Sequence, residues 1–484
     1  MFRWLGSFRR INQSSLDIKQ DKMSSNESEE FLDSILSANM ESMAYMGDPE
    51  VLAQKIHQAQ MGHAQPFQSP FGTKQVMYCD YIASGRSLQF IEEYIHKEVL
   101  PLYANTHTTT TITAQQTTSF RNESRNIIRN AVNAYSDKDA VIFAGSGCTG
   151  AIHKLIHSLY LEKLEEKPLV FNSGQEHHSN LLPWREAGCE VVSMTELPTG
   201  HINIEDLERK LSEHRKLSKH RMIIGLFSAA SNVSGILNDD LTLTALMHKY
   251  GGLAFWDYAT AAPYVNIDMN PNVEGDETGL CAKDAVYFSM HKFVGGPQTP
   301  GILIAKKELF KSPVPHMGGG GTVLFVTQND HQYIGKIEDR EEGGTPAIIE
   351  SIRAGLVMFA KENIGADFIM SREEKMMQMA RDRLQKMPNF IPLGPMEVHK
   401  LPILSFLIKC PPILGQGFLH HNFICYVLND LFGIQARGGC ACAGPYVESL
   451  LGMTEEGVGH FTGLIQDPYK TASHVSQQKF AKSK

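Results

Sequence analysis

From about residue 76 the chain alternates short apolar runs with amphipathic stretches, and this rhythm restricts its fold more than any other property of the sequence. The runs are Ala140 to Ala144, Leu169 to Phe171, Glu190 to Met194, Met222 to Phe227, Leu253 to Trp256, Val286 to Phe288 and Ile302 to Ala305. Runs this short read as strands and the stretches between them as crossover helices, so the pattern predicts an α/β fold with a large, mostly parallel seven-stranded sheet flanked by helices. The helix after the first run shows its core face at Ile152, Leu155, Ile156 and Leu159, the i, i+3, i+4, i+7 spacing. Large-domain character extends over residues 76–347. A smaller α+β C-terminal domain is expected over 348–446, with helices Ile348 to Glu362, Ser371 to Met387 and His421 to Leu431 and a strand Leu404 to Ile408. Residues 1–75 lack strand signals and read as an extension outside the main core, helical in part or disordered. Residues 447–484 form a polar tail ending in Gln477, Gln478, Lys479, Lys482 and Lys484.

Composition removes several classes of function. Among 484 residues, 45 Lys plus Arg against 53 Asp plus Glu give a formal charge of −8, which provides no electrostatic footprint for nucleic acid. Gly, Pro or charge breaks every apolar run before the roughly 20 residues that a spanning helix needs, so no membrane association is expected. The 8 cysteines are too dilute for a disulfide scaffold and fit a reducing compartment. Arg3, Arg9 and Arg10 among Phe2, Trp4, Leu5, Phe8 and Ile11 have a presequence-like pattern, but Asp17, Asp21 and Glu27 follow closely. The compartment expected is the cytoplasm, with the mitochondrion as the alternative.

Ligands of doubly wound sheets gather at the carboxyl ends of the strands, so chemistry is sought just after each apolar run. Gly145-Ser146-Gly147-Cys148-Thr149-Gly150 opens a helix, where free N–H groups and the positive dipole end suit a phosphate; a turn with an N-cap reads the same way. Asp257 stands at the end of its strand, as a functional carboxylate or a cap. Ser289-Met290-His291-Lys292 precedes Gly295-Gly296 and is compatible with a Schiff-base lysine, although most lysines are surface groups.

Together, the order and spacing of these residues resemble the class V aminotransferase family of pyridoxal-phosphate enzymes, and within it the cysteine desulfurase and selenocysteine lyase branch. The resemblance runs from Tyr78 to Pro445. It rests on Asp80, Ala83 and Ser84, Gly147-Cys148-Thr149, Glu176-His177-His178-Ser179-Asn180, Ser231-Asn232-Val233-Ser234-Gly235, Asp257-Tyr258-Ala259-Thr260, Ser289-Met290-His291-Lys292, Gly344-Thr345-Pro346 and Arg437-Gly438-Gly439-Cys440-Ala441-Cys442-Ala443. It implies the fold-type I architecture and pyridoxal 5'-phosphate as cofactor. By this resemblance Lys292 would hold the cofactor covalently and Asp257 would pair with its ring nitrogen, a charge-assisted bond of roughly 1.5–3 kcal/mol. His177 would stack on the ring, Asn232 and Thr260 would lie near the ring hydroxyl, and Cys148, Thr149, Ser289 and His291 would hold the phosphate. Thr345 would reach the phosphate of a partner subunit, which implies a homodimer.

Cys442 matches the desulfurase nucleophile, which would take sulfur from L-cysteine and leave alanine, with a sulfur-acceptor protein as a possible partner. Cys440, where relatives often have His, reads as a second sulfur carrier or a spectator. A metal pair with His420 and His421 lacks the usual Cys-x2-Cys spacing, so no metal is expected. The family's arginine for the substrate carboxylate has no counterpart, since no arginine follows Arg437. Either another group such as Arg437 or Lys470 substitutes for it, or the protein binds cofactor and handles amino acids poorly, or the end reflects an alternative or truncated product. The alternatives to desulfuration are transamination or elimination on another amino acid, and a cofactor-binding pseudoenzyme serving as a regulatory partner.

Overall fold

The structure, a computed structural model, describes residues 48–453. The basic leader, Lys470 and the terminal glutamines and lysines lie outside the described residues. All seven apolar runs are strands of one sheet: β1 (Asp139–Ala144), β2 (Leu169–Asn172), β3 (Glu190–Ser193), β4 (Ile223–Ser228), β5 (Leu253–Asp257), β6 (Ala285–Ser289) and β7 (Gly301–Lys306). Their spatial order is β1-β7-β6-β5-β4-β2-β3. Strands β3, β2, β4, β5 and β6 are parallel, and β7 runs antiparallel to both of its neighbours, β6 and β1. Along β1 the side chains divide with period two: Val141 and Phe143 join the apolar cluster on one face, Ala140, Ile142 and Ala144 the cluster on the other. Both faces are therefore core, which is why the strands other than the edge strand β3, whose ends are exposed, read as unbroken apolar runs rather than alternating ones.

Helix α1 (Gly147–Ser158) follows β1 and buries Ile152 and Leu155 completely. The helix Ile348–Ile364 is buried over most of its length and packs on the helix Ile112–Ala131. The approach is close: a Cβ added at Gly355 would lie 2.5 Å from the Ser124 side chain. Gly365, at φ +82°, separates this helix from the next, Ala366–Leu384, which starts five residues before the expected Ser371. The helix expected over His421 to Leu431 is α-helical through Val427 and continues as a π-turn over Leu428–Phe432. The expected strand near Leu404 is Phe406–Ile408, paired with Phe390–Pro392.

The expectation for residues 1–75 is corrected at two points. The helix Pro49–Ala59 places Ile56 in the main apolar cluster, and Pro66–Ser69 pairs with Gly72–Gln75 as an antiparallel hairpin. That hairpin is mostly exposed and polar, so it carries no apolar alternation that sequence could reveal. A short parallel pair, Met77–Tyr78 with Ile434–Gln435, then brings the end of the smaller region to the mouth of the large sheet. No helix among the described residues is long and apolar enough to cross a membrane.

Candidate active site

The carboxyl ends of β1, β4, β5 and β6 converge on one cleft of about 440 Å³. Ten of the eleven residues singled out from sequence line it: Cys148, Thr149, His177, Asn232, Asp257, Thr260, Ser289, His291, Lys292 and Cys442. Thr345 does not; it is exposed elsewhere, its hydroxyl accepting from Asn105 Nδ2 at 3.1 Å.

Each wall has its own cause. At the β1 edge the chain turns at Gly147, φ +56°, and α1 begins without a cap bond from its own N-cap residue, Ser146. The antiparallel β7 starts here, and a Cβ on Gly301 would meet the Gly147 carbonyl at 1.9 Å, so only glycine fits at this edge. The Cys148 N–H donates to Ser289 Oγ at 2.8 Å, and Thr149 and Ser179 share a hydroxyl contact of 2.8 Å. The Cys148 thiol is directed to Asp257 Oδ1, 3.4 Å away, and not toward this cup. Asp257 Oδ1 also accepts the Ala259 N–H at 2.8 Å, while Oδ2 receives no hydrogen bond among the described residues. Burial beside this carboxylate pushes the Cys148 thiol well above the usual thiol range, which keeps it a neutral donor.

Lys292 follows β6 at the cleft floor. Burial pushes its ammonium down, and the Asp257 carboxylate opposes that shift without cancelling it. His177 caps the helix α2 (His178–Glu186), its Nδ1 accepting the Ser179 N–H at 3.1 Å; burial lowers its basicity, again against Asp257. The residue before it, Glu176, is fully enclosed. Its carboxylate accepts from Asn180 Nδ2 at 2.6 Å, the Ser228 N–H at 2.9 Å and Ser228 Oγ at 2.8 Å, which ties the His177 loop to the end of β4. Burial nonetheless raises it to about 7.

The mouth is built by the second half of the chain. Arg437 lines the cleft and pairs with Asp80 at 3.4 Å across the Met77–Tyr78 ladder. The loop after it is pinned at three points: Asn232 Nδ2 donates to the Ala441 carbonyl at 2.6 Å, the His178 N–H to the Cys442 carbonyl at 2.8 Å, and the Gly444 N–H to His178 Nε2 at 3.1 Å. Asn232 Oδ1 is buried without a partner among the described residues. His178, Cys440 and Cys442 form the one cluster of three potential metal donors among the described residues, with ligand atoms within 4.8 Å of one another. It involves neither His420 nor His421, and the Nε2 lone pair of His178 is already engaged. Sequence reasoning missed His178 and Glu176 as supports of this loop; the only signal was their place beside His177.

The geometry agrees with the comparisons. The family model described as aminotransferase class-V matches residues 77–456. A probable cysteine desulfurase of Halalkalibacterium halodurans is 28% identical over 383 residues, covering 78% of this chain and 86% of that protein. A cysteine desulfurase of Synechococcus elongatus is 26% identical, covering 71% of this chain and 50% of that protein. Among solved structures, the cysteine desulfurase CsdA of Escherichia coli superposes with a TM-score of 0.65 at 22% identity, over 84% of this chain and 92% of that one. The apo cysteine desulfurase of Thermococcus onnurineus does so with 0.64 at 22%, over 81% and 94%. These two likenesses show a shared fold, and in this chain that fold holds the mostly parallel seven-stranded sheet expected from the sequence. With the family match spanning the whole cleft from the Met77 strand to the cysteine loop, the chain belongs to the aminotransferase class-V family.

Proposed function

We propose that this chain is a pyridoxal-phosphate-dependent cysteine desulfurase that converts L-cysteine to alanine and carries the sulfur on Cys442. The observation that carries this reading is the meeting of Lys292 and Cys442 in a single cleft: a buried amine at the floor and a thiol on a loop at the mouth. The cofactor of the family fits the residues present. Among the described residues Asp257 has a carboxylate oxygen that receives no hydrogen bond in a buried setting, Asn232 has a buried oxygen without a partner, and the N-terminus of α1, to which Ser146 gives no cap bond, opens beside Ser289 and His291. When bound, pyridoxal 5'-phosphate supplies an electron sink for the substrate's Cα. Lys292 would hold it and move the Cα proton, a task favoured by burial that pushes its ammonium down from the ordinary lysine range.

Arg437 is placed to hold the substrate carboxylate. It lines the cleft beside Cys442, and a guanidinium can grip an α-carboxylate with two parallel bonds. The Cys442 thiolate attacks the substrate sulfur; the S–S bond forms as the C–S bond breaks, and alanine leaves a persulfide on Cys442. Thr345 lies outside its own chain's cleft and is available to a second subunit, so the working form is a homodimer with shared sites.

The test is alanine and sulfide formation from L-cysteine by protein loaded with pyridoxal 5'-phosphate. Cys442→Ala should lose sulfide release by about three orders of magnitude while keeping the visible absorbance of bound cofactor. Unchanged turnover would reject desulfuration in favour of another amino-acid reaction, and cofactor binding without turnover of any amino acid would leave a pseudoenzyme.

A further inference from the structure

The cysteine loop holds two thiols, and the reaction proposed above uses one. Cys440 and Cys442 flank Ala441, and their sulfurs lie within 4.8 Å of each other. The Cys442 backbone takes a left-handed turn, φ +57°, that folds the loop back, and its N–H donates to Cys440 Sγ at 3.3 Å. The two sides of the pair are anchored differently. Cys442 sits between three pinned groups, the Ala441 carbonyl, its own carbonyl and the Gly444 N–H. Cys440 is exposed and follows Gly438-Gly439, with Gly439 at φ +95°. One sulfur is held facing the cleft; the other stands on a glycine arm open to solvent.

We propose that Cys440 is a resolving thiol: its thiolate attacks Cys442 Sγ in the persulfide state, forming a Cys440–Cys442 disulfide and expelling the outer sulfur as hydrosulfide. This rests on the desulfurase reading. The inner S–S bond of the persulfide breaks and its electron pair leaves with the outer sulfur. That sulfur is reduced, the two cysteines are oxidised, and no outside oxidant is consumed. The Cys440 proton goes to solvent, because the His178 Nε2 lone pair is held by the Gly444 N–H and the neutral ring has no other basic site. A disulfide across a single intervening residue is strained and therefore easily reduced, so an external dithiol returns both cysteines to thiols for the next turnover. The sulfur product is then free hydrosulfide released at the cost of a reductant, in place of a persulfide handed to an acceptor protein.

The test uses cofactor-loaded full-length protein given one equivalent of L-cysteine without reductant, then quenched by alkylation for peptide mass spectrometry. The expected result is one hydrosulfide per alanine and a peptide in which Cys440 and Cys442 both resist alkylation until reduced. In Cys440→Ser the extra sulfur should stay on Cys442, and reductant-free hydrosulfide release should fall by at least about tenfold, since an intramolecular thiol has lost its effective concentration. A wild-type chain that makes alanine yet keeps the persulfide on Cys442 with Cys440 alkylated overturns the proposal. If no alanine forms, desulfuration itself fails. The persulfide is then installed with inorganic polysulfide, and the same two peptide states, disulfide or retained persulfide, decide the role of Cys440.

Discussion

The Cys442 thiol is tuned by burial and by the charges around it, and with Arg437 and Asp257 it sets measurable expectations. Burial and the neighbouring Cys440 push the Cys442 thiol up, while Arg437 and Lys292 pull it down. Sulfur transfer should therefore accelerate with rising pH into the range above an ordinary thiol. Arg437→Ala removes one of the two cations and should move that rise to higher pH while raising KM for cysteine by about tenfold or more, which pH-rate profiles of kcat and kcat/KM would separate. Arg437→Lys should recover the pH profile better than the KM, since an ammonium restores charge but not the two-pronged grip. At Asp257 the expectation is different. Asp257→Asn keeps the shape, so cofactor should still bind, but turnover should drop by at least about a hundredfold, read from activity against absorbance. The motif residues around Lys292 were legible because their spacing is local. Arg437 was one of two candidates in the sequence, and only folding brings it to Asp80, whose position is 357 earlier.

Elements of the large sheet were legible for a simple reason. Strands covered on both faces must be apolar throughout, so β1, β2 and β4 to β7 stood out, with bounds within about two residues. What joins them was not. Glu342, two residues before Gly344, reaches back to the helix Ile112–Ala131, where it pairs with Arg121 and accepts from Arg125 Nη1 at 2.7 Å and Nη2 at 2.9 Å; it also accepts the Phe143 N–H of β1 at 2.7 Å. Burial alone would raise this carboxyl, yet the two guanidiniums hold it down at about 2. A carboxyl depressed in the folded state stabilises the fold above its ordinary value of 4.5, and that contribution fades as pH falls from there toward 2. Glu342→Gln should cost about 3–5 kcal/mol near neutral pH by taking from two buried guanidiniums the carboxylate bonded to them, and acid titration of the variant should lack the corresponding loss; chemical denaturation across pH checks both. No periodicity announces such a contact, since its partners lie about 200 positions away.

For the whole molecule the decisive expectation concerns subunit pairing. If Thr345 serves a neighbour's cleft, Lys292→Ala chains and Thr345→Asp chains are each inactive alone, yet random mixing creates heterodimers with one sound site. Activity should return to roughly a quarter of the wild-type level on unfolding and refolding the mixture. Sites built within one chain would give no recovery. The mouth of the cleft adds a mechanical consequence. Ile434 and Gln435 are joined to Met77 and Tyr78 by a ladder of two rungs, against the six-residue pairing of β7 with β1. The segment that carries Arg437 and both cysteines is thus tied to the frame by this short ladder, the Arg437–Asp80 pair and a few single hydrogen bonds rather than by a long strand pairing. With so few rungs to open, its amides should exchange long before those of β4, as hydrogen–deuterium exchange would read.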